Sequence, residues 1–541
     1  MNYREILDSY RDEACGMLRR LVSFKSVLSE PLEGKPFGEE IHGVYKCMLS
    51  KAEEDGFEVF DAGGYGGHID WLGAATDDRG EIVGAADETL GIAVHLDVVP
   101  AGDGWTHDPW ACEVSDGKIF GRGTADNKGP AVMVYFAMKA LRDAGYMPAK
   151  NVRLLLGLDE ETGCTGMDKY FEQAPAPDFG FAPDMEFPVI YAEKGILTFE
   201  IAKKLEQGHE TGLYLRSVEG GAAPNMVPDR CRAIIVYEEG PAGGKAAEKR
   251  GKGKKSKIGE KGAAKEAELR GKAFEHVKEA AKAFRCQAKA FSGGADAFRD
   301  AAGSYSDTAK SYSDTADANI TCKGAGNALE IMVSGKSAHG STPEKGINAI
   351  SIMMEFLSTL PLVNESARDF VDFYHTHIGS ELDGESLGIA MEDSVSGSLV
   401  LNSGMISMNK EAAVLTVNVR YPISKKEEDI YGALRPVLDR NGLGVVKLMS
   451  LHPLYFSTDE PLVKTLIDVY RENTGDEESK PIVTGGGTYA RSFPNAVAYG
   501  PKFPGEEDVV HQKDEYISID SLMKAACIYA DAICRLTSPV L

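Results

Sequence analysis

The chain has 541 residues, 43% of them hydrophobic, and a formal net charge of -24. That length exceeds one compact domain and predicts two or three. The acidic balance argues against nucleic acid or an anionic membrane as a main partner, and no apolar run reaches the roughly 18 residues of a transmembrane helix. In chain order, residues 1–24 read as an amphipathic helix too charged for a signal peptide. The cysteines are scattered singly with no CxxC pair, which points to reduced thiols and a cytoplasmic location. Residues 88–94 form a short apolar run of strand length that ends at His95-Leu96-Asp97. Residues 130–142 carry Val132, Tyr135, Phe136 and Met138 at helical spacing, and residues 151–158 (NVRLLLGL) read as a buried strand.

Strands alternating with helices predict a layered α/β domain, a mixed sheet flanked by helices. His95 and the Glu160-Glu161 pair then fall at strand C-terminal ends, where α/β sheets place ligands. From Gly195 the pattern changes. Residues 197–205, 231–237, 328–333 and 415–421 read as strands, with a helix over 347–360. This predicts an inserted α+β domain over 195–452. The first domain, residues 1–194, resumes over 453–541 with an amphipathic helix at 461–471.

Residues 240–318 stand apart in composition. Residues 241–290 hold 15 Lys/Arg against 6 Glu, and the sequence SYSDTA at 304–309 repeats at 311–316. Phe274, Val277, Phe284 and Phe291 recur at near-helical spacing. Two readings stay open: a surface insertion with one packed helix and a Gly/Lys-rich run, or a polybasic contact site.

Five separated segments offer metal-ligand residue types: His95-Leu96-Asp97, Asp126, Asp159-Glu160-Glu161, Asp184 and His511. An Asp two residues after a His can accept the second ring N–H and fix the tautomer, and strand alternation would put both on one face. Asp126 lies between small residues in GRGTADNKGP (121–130). It can bridge two cations or simply cap the helix that follows. Three consecutive carboxylates at 159–161 repel unless a cation or proton relieves them; a solvated turn is the plain alternative. Asp184 and His511 are ordinary locally. Taken together the set suits two divalent metals with a spare carboxylate as base, which is equipment for hydrolysis.

The motifs GHIDWLG (67–73), HLDVVPAGDGW (95–105), GRGTADNKGP (121–130), DEETG (159–163), NMVPD (225–229), GKSAHGSTPEKGINA (335–349), GGGTYAR (485–491) and HQKDEYI (511–517) carry a resemblance. Outside about 240–318, the chain resembles the dinuclear-metal amidohydrolases that include bacterial dipeptidases, carnosinases, aminoacylases and succinyl-diaminopimelate desuccinylase. Its wording is most similar to the broad-specificity, Xaa-His type bacterial dipeptidases. The resemblance implies that His95 and Asp184 hold one metal, Glu161 and His511 the other, and Asp126 bridges them. Zinc is the implied ion, with manganese or cobalt possible. It further implies Glu160 as the general base on a bridging water, Asp97 as the residue that orients His95, and a non-proline cis peptide at Asp126–Asn127.

In the inserted domain, which the resemblance makes a lid, it implies His339 as the group polarising the scissile carbonyl and Asn225 as a second substrate contact. Arg491 would grip the substrate's carboxylate, beside the close backbone approach allowed by Gly487. The implied substrate is a dipeptide or small amide, and the implied assembly a monomer or homodimer. The 240–318 segment lengthens the stretch between NMVPD and GKSAHG relative to related enzymes. A deacylase or desuccinylase of N-acyl amino acids is the competing enzyme reading. A non-catalytic binding protein that kept the fold is the third, and an intact Glu160 weighs against it.

Overall fold

The computed structural model describes residues 2–76, 82–206, 208–239, 257–292 and 319–538. The chain divides into two compact units: Met1–Glu193 with Leu454–Leu541, and Lys194–Pro453.

The first unit is built on a nine-stranded mixed sheet. In spatial order it runs Glu58–Asp61, Gly67–Trp71, Asn151–Gly157, Thr89–His95, Phe179–Ala182, Ala496–Ala498, Ile190–Glu193 and Leu454–Tyr455, with Ile482–Thr484 alongside Ile190–Glu193. The central strands, Asn151–Gly157 through Ala496–Ala498, are mutually parallel. Their side chains explain this. Leu90, Ile92, Val94, Val152, Leu154 and Leu156 are all buried, the continuous apolar reading of a strand covered on both faces. The cover comes from helices Arg11–Val22, Lys128–Asp143 and Ile519–Leu536, which bring Leu18, Leu21, Val132, Phe136, Ile528 and Ile533 into the same core.

Three details differ from the sequence expectation. The N-terminal segment is two helices, Tyr3–Ser9 and Arg11–Val22, broken at Tyr10, whose hydroxyl and ring engage Asp143 and Phe136. The helix expected from Pro130 begins at Lys128. Proline is tolerated there because amides of the first helical turn have no intrahelical acceptor. The strand ending beside the first motif runs Thr89–His95, so His95 is its last residue.

The second unit holds an eight-stranded antiparallel sheet. Its order is Asn319–Ala325, Ala328–Ser334, Arg230–Glu238, Gly212–Gly220, Val400–Met408, Ala412–Tyr421, Gly195–Lys204 and Gly444–Leu451. Helix Ala349–Ser358 starts where the Asn348 side chain accepts from the amides of Ile350 and Ser351, at 2.9 and 3.1 Å. Two helices not set apart by the sequence pattern, Glu365–His377 and Glu427–Arg440, join it. The helix within 240–318 spans Lys257–Ser292, and Phe274, Val277 and Ala281 enter this unit's core. The SYSDTA repeat and the Gly/Lys-rich run before Lys257 lie outside the described residues. Among the described residues no helix is long and apolar enough to cross a membrane.

Candidate active site

Three neighbouring parallel strands end on one edge of the first unit's sheet, and each delivers a candidate ligand there. His95 closes its strand opposite Gly157, the last residue of the adjacent strand. The 3-10 turn Glu160–Thr162 follows Gly157 closely. On the other side, Phe179–Ala182 leads to Asp184, whose amide donates to the Ala182 carbonyl at 3.0 Å. Asp126 comes from the loop ahead of helix Lys128–Asp143, and its peptide bond to Asn127 is cis. His511 comes from the loop before Tyr516–Ser518, with a φ of 63°. That left-handed backbone is uncommon for a residue other than glycine.

These side chains converge. His95 Nε2 lies 2.9 Å from Asp126 Oδ1 and 3.6 Å from Asp184 Oδ1. His511 Nε2 lies 3.0 Å from Asp126 Oδ2 and 2.9 Å from Glu161 Oε1. Asp126 therefore turns one oxygen to each imidazole. Candidate ligand atoms of His95, Glu160 and Asp184 lie within 4.8 Å of one another, as do those of His95, Asp126 and Glu161.

The electrostatics follow from four partly buried carboxylates beside two imidazoles. Burial, reinforced by the Asp184 charge, pushes Glu160 well above the usual carboxylate range. Burial and then Asp126 raise Glu161. Asp184 is pushed up to about 7, chiefly by burial, against the pull of His95. Asp126 goes the other way: burial opposes its charge, but the contacts to His511 and His95 outweigh it and hold the carboxyl low. Burial likewise opposes the charge on His511, yet Asp126 and Glu161 raise it to about 11. Such a donor set carries more negative charge than its imidazoles balance. Paired divalent cations suit it, since oxygen and imidazole donors are what zinc, manganese and cobalt accept.

Asp97 departs from the expected arrangement. The strand stops at His95, so alternation does not extend to Asp97. His95 Nδ1 is 3.0 Å from the Asp97 backbone carbonyl and 3.4 Å from its carboxylate. The carboxylate also accepts from the amides of Glu160 and Glu161, at 3.2 and 3.1 Å. Asp97 thus anchors the turn that carries both glutamates, and its main chain steadies the imidazole.

Other supports were not singled out from the sequence. Asn127 is buried; its Nδ2 donates to the Pro183 carbonyl at 2.8 Å and to Asp184 Oδ1 at 2.7 Å. Its Oδ1 accepts from the His95 amide at 3.3 Å. One side chain therefore ties two candidate ligands together, and its place beside Asp126 was the available signal. Tyr489 packs edge-on to the His95 ring, centroids 6.3 Å apart. That ring fills the space over Gly157, where an added Cβ would meet it at 2.1 Å. Gly157→Ala is accordingly expected to destabilise the metal-free protein by about 1–3 kcal/mol, the usual cost of overpacking. Urea denaturation would read this, and an unshifted midpoint would contradict the packing described.

Arg491 is held rather than loose. Its Nε donates to Glu193 Oε2 at 2.5 Å and its Nη2 to the Gly486 carbonyl at 3.3 Å. Glu193 is fully buried and also accepts from Thr488 Oγ1 at 2.8 Å. Gly487 lies half-buried in the loop between Ile482–Thr484 and the turn Tyr489–Arg491.

Asn225 and His339 belong to the second unit, where they meet on neighbouring loops. The Gly340 amide donates to the Asn225 carbonyl at 2.6 Å, and Met226 pairs with His339. The Asn402 side chain fixes the Asn225 loop from both sides, donating to the Pro224 and Met226 carbonyls, each at 2.9 Å. His339 Nδ1 lies 2.6 Å from Ser341 Oγ and accepts from the Ser341 amide at 3.3 Å. With Nδ1 accepting, a neutral ring carries its proton on Nε2.

Residues 91–535 match the model of Peptidase family M20/M25/M40. "Putative dipeptidase YtjP" of Bacillus subtilis is 32% identical over 541 residues, covering 99% of this chain and 100% of that protein. A "Putative dipeptidase" of Staphylococcus epidermidis is 30% identical, covering 98% of each. Among solved structures, the di-peptidase Dug1p of Saccharomyces cerevisiae matches with a TM-score of 0.50 at 11% identity, covering 99% of this chain and 98% of that one. A Staphylococcus aureus tripeptidase also has a TM-score of 0.50, at 13% identity, covering 97% and 98%. These two likenesses concern the fold alone. The chain belongs to peptidase family M20/M25/M40, a family of metallopeptidases.

Proposed function

We propose that this protein is a metal-dependent dipeptidase that hydrolyses the peptide bond of dipeptides with a free N-terminus. The observation that carries the reading is the convergence of His95, Asp126, Glu161, Asp184 and His511 beside Glu160, with Asp126 shared between the two imidazoles. The names of the relatives, which cover almost the whole chain, support it.

His95 and Asp184 would hold one divalent cation, Glu161 and His511 a second, and Asp126 both; zinc, manganese and cobalt each fit these donors. Bound there, such ions supply Lewis acidity at the carbonyl oxygen and lower the pKa of the attacking water. Glu160 takes the water's proton as the oxygen attacks the carbonyl carbon. It passes that proton to the amine nitrogen as the carbon–nitrogen bond breaks. His339 is the proposed donor to the developing oxyanion, through Nε2, and Asn225 a second polar contact to the substrate. Arg491, oriented by Glu193, is the proposed partner of the substrate's carboxylate, for which a planar guanidinium is the natural match. Gly487 lets backbone approach the ligand closely.

The test is a matched substrate panel: free dipeptides, the same dipeptides N-acetylated, and N-acyl amino acids. Cleavage of the free dipeptides alone is expected. Cleavage confined to the acylated set would overturn the dipeptidase assignment and make the protein a deacylase.

A further inference from the structure

Glu515 lies four residues after His511 on the same segment, and its side chain is wholly buried. Its Oε1 accepts from the amides of Gly123, Ala125 and Asp126, at 3.0, 2.9 and 3.3 Å. Its Oε2 accepts from Arg122 Nη1 at 2.5 Å, and its backbone carbonyl from the Gly121 amide at 2.8 Å. Each of these bonds lands on the loop that carries Asp126. Arg122 is itself only 1% exposed, and its Nε has no hydrogen-bond partner among the described residues. A buried carboxylate is tolerated only where donors replace water, and here the donors are three backbone amides of one short loop and the Arg122 guanidinium on that loop.

We propose that Glu515 is a positioning residue. By gathering three backbone amides onto one oxygen, it sets the loop so that Asp126 gives one oxygen to His95 and the other to His511. The inference rests on the metal-site reading above. It also links the two ends of the site, because the segment that supplies His511 is the one that fixes Asp126. The competing role is a purely stabilising ion pair with Arg122, in which the charge matters and the amide contacts do not.

Two variants separate these roles. Glu515→Asp keeps the charge but draws the carboxylate back by one methylene from the amides. Arg122→Met with Glu515→Gln removes both charges and keeps an acceptor of the original reach. Each full-length protein would be stripped with chelator, checked for fold by circular dichroism, and titrated with Mn2+ by calorimetry. Positioning predicts that Glu515→Asp weakens binding by about 10–100-fold, the usual cost of losing a supporting partner, while the double variant binds close to wild type. The visible absorption of the Co2+-loaded proteins should change in the first and not in the second. Wild-type affinity in Glu515→Asp, or a loss of about 10-fold or more in the double variant, overturns the inference. If either protein does not fold, the other decides alone by the same criterion. A wild-type chain that takes up no Mn2+ would overturn the metal reading itself, which is a different failure.

Discussion

Asp126→Ala is expected to abolish dipeptide hydrolysis and to lower the bound metal from a pair of ions per chain to one at most. Asp126 stands 2.9 Å from His95 Nε2 through one oxygen and 3.0 Å from His511 Nε2 through the other. Its carboxyl is held low by those two contacts in spite of its burial. Without it, His95 with Asp184 and His511 with Glu161 become separate half-sites with too few ligands for tight binding. Loss of a mere supporting partner costs about 10–100-fold in metal affinity or activity, and loss of a shared ligand should exceed that. Elemental analysis and kinetics on the same preparation would check it. An alanine variant with full metal content and full rate would contradict the shared-ligand role.

Glu160→Ala is expected to lower kcat by about 100- to 10,000-fold, the range for removing a general acid–base group. KM and metal content should change little. Metal content is the informative readout here, because Glu160 also lies within ligand distance of His95 and Asp184. A variant that loses an ion along with its activity would make Glu160 a ligand rather than the base. A variant that turns over at the wild-type rate would remove it from the chemistry.

What could be read from the sequence depended on periodicity and on local wording. The apolar runs around residues 88–94 and 151–158 have few structural alternatives, and they became strands Thr89–His95 and Asn151–Gly157. The helical spacing at 130–142 became Lys128–Asp143, extended at its start because a proline in the first turn costs no hydrogen bond. The candidate ligands were visible as residue types at strand ends and turns, and the fold brings them to one edge of one sheet. Asp97 shows the limit. Its spacing from His95 suggested a shared strand face, but the strand ends at His95; the carboxylate still lies 3.4 Å from His95 Nδ1 and also accepts from the amides of residues 160 and 161. Glu193, Asn127 and Glu515 escaped for another reason. Each works through a partner distant in sequence or through backbone amides, neither of which leaves a periodic trace. Glu193 and Arg491 are separated by 298 positions. Glu515 reads locally as one more acid in an acidic loop, and only the fold shows that its side chain meets loop amides instead of water.

The most direct test of a paired-metal hydrolase is to strip the protein with chelator and follow hydrolysis of a free dipeptide as Zn2+ or Mn2+ is added back. The rate would be plotted against ions bound per chain. The stripped protein is expected to be inactive, with a rate that saturates only when a pair of ions is bound. Full activity in the stripped protein, or saturation at a single ion, would contradict it.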